Sequence, residues 1–200
     1  MKKLALMCAL FTASLFLCAF LSSPPSKNIT TTSGDFNALN VKIHTVAVLP
    51  IDNTTNKKAA GKWVRKALIE GFKSFRYYTV LNEEITDKKL KEAGISDIHA
   101  SSPRKIGTVL GADAIIYTRL AKFKESVNLA FGSVETSARI QMVDISAQKI
   151  IYDSQQTDTT TGITPGGIIF ASLQAVRNLR DKLLKKYPLK KKVETYKRRK

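Results

Sequence analysis

The sequence predicts a single α/β domain, in which a mixed five-stranded sheet carries helices packed against it. Two segments, Val46–Pro50 and Leu110–Tyr117, predict buried strands, and the continuous apolar centre of the second, Ala114–Tyr117, indicates a strand covered on both faces. Apolar and polar residues alternate from residue 133 to 145, as in a strand with one face in water. Helical periodicity between these segments gives the order β α β α α β β β α, with no internal repeat.

The first strand is predicted over His44–Leu49 and ends at Pro50. A helix follows, because apolar residues recur at steps of three and four while lysines take the other side. Its apolar stripe comprises Ala60, Trp63, Val64, Ala67, Leu68, Gly71, Phe72 and Phe75. Trp63 is therefore predicted to anchor the core rather than to bind a ligand.

A second strand is predicted over Tyr77–Leu81 and a second helix over Asn82–Ala93, stopped by the following glycine. Ser102 and Pro103 have the residue types of an N-cap and a first helical position, and Gly111 is placed to end that short helix. Its packed face is predicted to comprise Ile106, Val109 and Leu110.

The third strand is predicted over Ala112–Leu120, and a hairpin over Ser133–Ile145 and Lys149–Thr159. The inward residues of its first strand are Val134, Thr136, Ala138, Ile140 and Met142. Thr157–Gly167, rich in threonine and glycine, is predicted to be a loop. A last helix over Ile168–Tyr187 ends at Pro188. It is predicted to present Ile169, Leu173, Val176, Leu179 and Leu183 to the core.

The chain divides into four segments. Residues 1–21 combine two early lysines with an apolar run and are predicted to be a secretory or lipoprotein signal; an uncleaved membrane anchor is the alternative. Residues 22–40 have the Ser, Thr and Pro content of a flexible tether. Residues 41–188 form the α/β domain, and residues 189–200 form a basic tail.

Both cysteines, Cys8 and Cys18, fall in the signal segment, so the predicted domain has no thiol for a disulfide, zinc or catalysis. Cys18 is the candidate for lipidation, since Leu15 stands three residues before it as in bacterial lipoprotein signals. The alternative is that Cys18 is an ordinary apolar residue of the signal.

A net charge of +17 is typical of nucleic-acid binders, but export argues against nucleic acid as the partner. Much of the excess lies in the tail, at Lys190, Lys191, Lys192, Lys197, Arg198, Arg199 and Lys200. Such an arm is predicted to bind anionic lipid or envelope polymers; a solvated tail that aids solubility is the alternative.

Asp52, Asn53 and Thr54 follow the first strand at its carboxyl end, where open α/β sheets commonly bind ligands. They are the candidate partner or ligand loop, and an ordinary turn before a helix is the alternative. The Gly111-Ala112-Asp113 sequence is assigned a structural role, and a functional site is the alternative. Asp113 is a candidate to cap the turn through a backbone hydrogen bond.

No catalytic motif occurs: the sequence lacks a Gly-x-Ser-x-Gly elbow, a Walker loop and a His-Glu-x-x-His helix. Neither His44 nor His99 stands at metal-ligand spacing from another ligand, and His99 is predicted to lie in a solvated loop. We therefore expect no catalytic residues, no metal site and no cofactor.

Five segments together resemble the bacterial outer-membrane lipoprotein family that is related to the curli secretion channel subunit. They are Val46–Pro50, Tyr77–Leu81, Leu90–Gly94, Asp97–His99 and Leu110–Tyr117, and Asp144–Tyr152 resembles the family's strand, turn, strand segment. The resemblance implies an anticodon-binding-like fold, as in the amino-terminal domain of the Tol translocation protein. It departs from the family at Leu17, where a lipidation signal normally has a small residue, and in lacking evident barrel-forming strands.

The resemblance implies an envelope accessory lipoprotein, a binding and assembly module of a secretion or envelope complex, in the periplasm and anchored to the outer membrane by lipid. The absence of catalytic motifs predicts that it is not an enzyme. Its expected partners are envelope proteins, a second copy of itself and the membrane surface. Two alternatives stay open: an activator of a peptidoglycan-synthesising enzyme, and a ring-forming secretion subunit.

Overall fold

A mixed six-stranded sheet organises the computed structural model, which describes residues 43–127, 131–163 and 167–187. The strands are β1 Thr45–Val48, β2 Asp52–Asn53, β3 Thr79–Val80, β4 Ala114–Val127, β5 Phe131–Asp144 and β6 Lys149–Ile163. The helices are α1 Lys58–Ser74, α2 Glu83–Glu92, α3 Pro103–Leu110 and α4 Gly167–Leu184. The predicted signal, tether and basic tail lie outside the described residues.

The strand order is β3-β1-β4-β5-β6, and β2 pairs with β4 beyond the end of β1. β1, β3 and β4 are parallel, whereas β5 is antiparallel to both β4 and β6. This arrangement confirms the predicted α/β class with a mixed sheet. The predicted count of five strands omitted β2, because an Asp-Asn pair has low strand propensity and pairs here only through its position beside β4.

Helices cover the two faces of the sheet to different extents. α1 and α4 pack on one face over a large core that includes Phe72, Leu120 and Leu179. α2 and α3 cover the other face only near β1 and the start of β4, with Leu49, Ile106 and Ile115 in a smaller core. We call the end of the sheet where β1, β3, β4 and β6 begin the base, and the opposite end the tip.

The helix boundaries follow the predicted capping residues. The Ser102 side chain accepts a hydrogen bond from the Lys105 amide, Pro103 begins α3, and Gly111 ends it in the left-handed conformation (φ 67°). Asn82 caps α2 through the Glu84 amide. These local signals were readable because each depends on residues only a few positions apart.

Trp63 is half-buried against the large core, with its ring 6.1 Å from that of Phe123. The Lys57 ammonium group lies 5.8 Å from the centre of the indole. The predicted packing role of Trp63 is therefore confirmed.

Two predictions about the last third of the domain were wrong. The predicted loop Thr157–Gly167 is β strand as far as Ile163, because its threonines pair residue by residue with β5. Ile169 and Leu173 do not face the core: they are 66% and 43% exposed. Ala171 and Ala175 are buried in their place, while Val176, Leu179 and Leu183 are buried as predicted.

Candidate functional site

A groove of about 510 Å³ opens at the carboxyl end of β1, the position where the sequence placed a ligand loop. One wall comes from Pro50, Ile51 and Asp52. The other comes from the end of α2 and the segment that follows it. Leu90 and Ile95 are buried beneath the groove, and Ile98 packs against the same small core. The floor is thus apolar and belongs to the rigid core of the domain.

The structure separates the three residues of the predicted loop. Asp52 lines the groove, with a carboxylate oxygen 3.6 Å from Nε of Arg119. The Asn53 side chain donates to the Lys57 carbonyl oxygen at 3.0 Å and accepts from the Thr55 amide. Both the amide and the hydroxyl of Thr54 donate to the carbonyl oxygen of Leu120 at 3.1 Å.

Asn53 and Thr54 therefore shape the turn between β2 and α1, as the alternative interpretation of this loop holds. Of the three residues, only Asp52 contributes to the groove wall.

A buried arginine fixes the groove's α2 wall to the sheet. Nε of Arg65 donates to the Val48 carbonyl oxygen at 3.1 Å, and its guanidinium binds both carboxylate oxygens of Asp87 at 2.9 and 2.7 Å. Arg65 is only 4% exposed. Its charge, together with the hydrogen bonds from Nε and Nη1, therefore holds α1, β1 and α2 together, and the Asp87 carboxylate at the groove rim is already paired.

The turn after α2 adds polar groups to the rim of the same wall. An Asp97 carboxylate oxygen accepts hydrogen bonds from the His99 amide at 2.8 Å and the Ala100 amide at 3.2 Å. The exposed His99 ring stacks on Tyr117 with the centroids 5.8 Å apart. Burial raises the pKa of the Tyr117 hydroxyl, so this group stays protonated and available as a donor at neutral pH.

These side chains form a binding surface with an apolar floor and a polar rim. The apolar floor suits aliphatic or aromatic side chains of a ligand, and the paired acids leave little charge with which to select a cation. Within the described residues, no group of three or more His, Cys, Asp and Glu side chains is placed to hold a metal ion. None of the described helices is long and apolar enough to cross a membrane.

The sequence interpretation missed two apolar residues that line the groove, Ile95 and Ile98. They follow the helix-ending Gly94, whose φ of 68° turns the chain back across the sheet end. Two isoleucines directly after a helix stop were the available signal, because such residues need a surface to pack on. The lipidation candidate Cys18 and the tail cations at residues 190–200 lie outside the described residues.

Comparison with known proteins identifies one matching family model and several solved structures of similar fold. The family model described as "Putative lipoprotein GNA1162-like" matches residues 35–179. The crystal structure of lipoprotein GNA1162 from Neisseria meningitidis is 21% identical, covers 68% of this chain and 96% of that chain, and superposes with a TM-score of 0.51. That likeness establishes the fold. Among curated proteins, none matches the sequence significantly.

Two other solved structures are similar to a smaller degree. A PelC dodecamer from Paraburkholderia phytofirmans is 15% identical over 72% of this chain and 89% of that chain, with a TM-score of 0.49. The LpoB C-terminal domain from Salmonella enterica is 16% identical over 61% and 87%, with a TM-score of 0.45.

Proposed function

Because the chain belongs to the GNA1162-like lipoprotein family, we propose that it is a non-enzymatic accessory lipoprotein of the cell envelope whose domain binds a partner protein. The lipid is attached at Cys18, within the apolar run of the predicted signal, and holds the protein at the outer membrane on its periplasmic side. We assign no catalytic role to the basic tail or the tether: the tail contacts anionic surfaces, and the tether sets the distance between the lipid and the domain.

The observation that carries the binding role is the groove at the carboxyl end of β1. It is apolar, open and built on the core, and the acids at its rim are bonded to Arg65, Arg119 or the backbone, while Lys91 adds one exposed cation. A site of this kind recognises a short apolar segment, and the exposed His99 side chain at its rim, stacked on Tyr117, supplies a polar contact that helps to fix the orientation of the segment. The proposed ligand is therefore a short apolar segment of another envelope protein.

Photo-crosslinking in the protein's own cells tests this proposal. A benzophenone amino acid replaces Ser96, which is exposed and lines the groove. A matched control places the same amino acid at Lys66 of α1, which is exposed and does not line the groove. We expect a discrete crosslinked envelope protein from position 96 and none from position 66. The crosslink should disappear when Ile98→Gln is added, since that change makes the apolar floor polar.

Two outcomes would contradict the binding role. One is an identical crosslinking pattern at both positions. The other is a crosslink at position 96 that persists unchanged with Ile98→Gln in a protein that retains its normal melting temperature. Either result would show that the groove does not select a partner.

A further inference from the structure

We propose that the base of the domain docks directly on an anionic bilayer surface, so that the tip points away from the membrane. This inference rests on the proposed lipid anchor and adds to it an orientation and a defined contact surface. The positions of the chain ends, the charge of the base and its exposed apolar side chains all support it.

Both ends of the described chain leave the domain at the base. Ile43 lies two residues before β1, and the backbone amides of the next two residues donate to the carboxylate of Asp113, just before β4. At the other end, the Tyr187 ring packs on Tyr78, just before β3, and on Tyr152, near the start of β6. The lipid-bearing segment and the basic tail of the sequence therefore attach to the same end of the domain. The 14 residues of β4 place the tip about 45 Å away.

The base carries a concentration of exposed cations. They are Lys73, Arg76, Lys149, Lys185 and Lys186. Four carboxylates lie in the same region. Asp113 accepts from the amides of residues 44 and 45, and Asp144 accepts from those of Ser146 and Ala147. Glu70 and Asp181 lie beside Ser74 and Leu184, and Asp181 pairs with Arg180. With Arg180 included, the cations of the base outnumber these carboxylates, so the base carries a net positive charge.

The tail would strengthen this charge. Residues 188–200 follow Tyr187 directly and contain seven Lys and Arg residues against the single acid Glu194. Cations on the folded surface and cations on the adjacent segment thus attract the same kind of partner, an anionic one.

Apolar side chains among these cations favour a bilayer over a soluble polyanion. Tyr77 is 47% exposed and Ile150 is 55% exposed, and each lies within one residue of a basic side chain, Arg76 or Lys149. An aromatic and an aliphatic side chain surrounded by lysine and arginine is the pattern of surfaces that rest at the headgroup layer. A soluble polymer would satisfy the cations but would leave both apolar groups in water.

Fluorescence quenching in proteoliposomes tests this orientation. The lipidated protein, whose described domain contains no cysteine, receives a single fluorescent label at Ile150→Cys on the base or at Phe170→Cys near the tip. Vesicles contain phosphatidylethanolamine and phosphatidylglycerol with a nitroxide quencher on the headgroup. We expect quenching at position 150 to be several-fold greater than at position 170, and to fall when phosphatidylcholine replaces phosphatidylglycerol.

Charge reversal provides the matched variants. The triple change Lys73→Glu, Arg76→Glu and Lys149→Glu should abolish the excess quenching at position 150. The same net change at exposed positions of α1 away from the base, Lys58→Glu, Lys62→Glu and Lys66→Glu, should leave most of it. Thermal melting confirms that both variants fold.

Equal quenching at the two label positions would overturn the proposal, as would equal losses from the two triple variants. Flotation of the labelled protein with the vesicles reports the lipid anchor separately. Failure of the anchor would remove the protein from the floated fraction, whereas failure of docking would leave it floated with position 150 unquenched.

Discussion

Asp113, the last residue of the Gly111-Ala112-Asp113 motif, connects the start of β4 to β1 through hydrogen bonds. Its carboxylate accepts hydrogen bonds from the backbone amides of His44 at 2.9 Å and Thr45 at 2.8 Å, and its own amide donates to the Thr45 carbonyl oxygen. The motif Gly111-Ala112-Asp113 thus ends a helix and joins β4 to β1. A structural role was predictable from the local pattern, but the predicted cap of the turn was wrong, because the carboxylate binds the amides of residues 44 and 45. These residues are far away in the sequence and are brought near only by strand pairing.

Replacing Asp113 with alanine should lower the free energy of unfolding by about 2 kcal/mol, since two hydrogen bonds to a charged acceptor are lost. Urea denaturation measures the effect. Asp181→Ala is the control, because Asp181 is exposed and pairs with its neighbour Arg180; it should cost much less. Equal losses from the two variants would mean that the carboxylate does not tie β1 to β4.

Asp153 makes stability depend on pH. The Arg139 guanidinium donates to its carboxylate, and this hydrogen bonding, with help from Gln141, holds the pKa of Asp153 below its ordinary value. The unfolded state therefore binds the proton more readily. The resulting stabilisation is fully present above the unfolded pKa of about 3.9 and disappears as the pH falls through the lower folded value.

Asp153→Asn should therefore destabilise the protein at pH 6 and have a smaller effect at pH 3. Urea denaturation at both values checks this. Asp181→Asn should show no comparable difference. A stability loss from Asp153→Asn that is equally large at pH 3 would contradict the assigned role of the ion pair.

At the scale of elements, the sequence predicted the helices and the buried strands well but not the full hairpin. Short signals such as Ser102, Pro103 and Gly111 define α3, and the alternation in β5 is confirmed, with Val134 and Met142 buried. The polar end of β6 gave no strand signal of its own, because its threonines become strand only by pairing with β5.

α4 shows a second kind of limit. Its first turns contain both large apolar residues, such as Ile169, and alanines, and either set could have faced the core. The structure buries Ala171 and Ala175, which let the helix approach the sheet closely, and leaves Ile169 exposed. Periodicity locates a helix reliably, but it does not choose between a bulky and a small stripe when both are present.

The contact between α3 and the end of β5 makes a prediction at this scale. A Cβ added at Gly107 would lie 2.5–2.8 Å from three side-chain carbons of Ile145, which is too close. Gly107→Ala should therefore destabilise the protein by about 1–3 kcal/mol despite the better helix propensity of alanine. Thermal or urea unfolding measures it.

The overlap itself can be tested by adding Ile145→Ala. If steric overlap is the cause, Gly107→Ala should cost less in the Ile145→Ala background than alone. Equal costs in the two backgrounds would rule out this contact as the reason for the glycine.

At the scale of the whole molecule, one aromatic cluster closes the domain where the chain leaves it. Tyr187 is fully buried among Phe72, Phe75 and Tyr152, and its hydroxyl oxygen lies 2.6 Å from that of Tyr78. Burial raises the pKa of Tyr78 to about 12 and also raises the pKa of Tyr187, so both hydroxyls stay protonated at neutral pH. The end of α4 is thereby fixed at the base.

Tyr187→Ala should lower the free energy of unfolding by about 3–5 kcal/mol, the usual cost of deleting a buried aromatic ring. Tyr187→Phe should cost less, because it keeps the ring and loses only the hydroxyl. The exposed Tyr77 serves as the control, and Tyr77→Ala should have a small effect. A small effect of Tyr187→Ala would show that the cluster is not part of the stable core.

The central claim is that this chain is an envelope lipoprotein, and the intact mass of the protein extracted from its own cells tests it most directly. We expect a mass that corresponds to cleavage immediately before Cys18 plus the mass of acyl chains. A mass that corresponds to cleavage beyond Cys18, with no lipid, would contradict the claim and leave the domain without the proposed anchor.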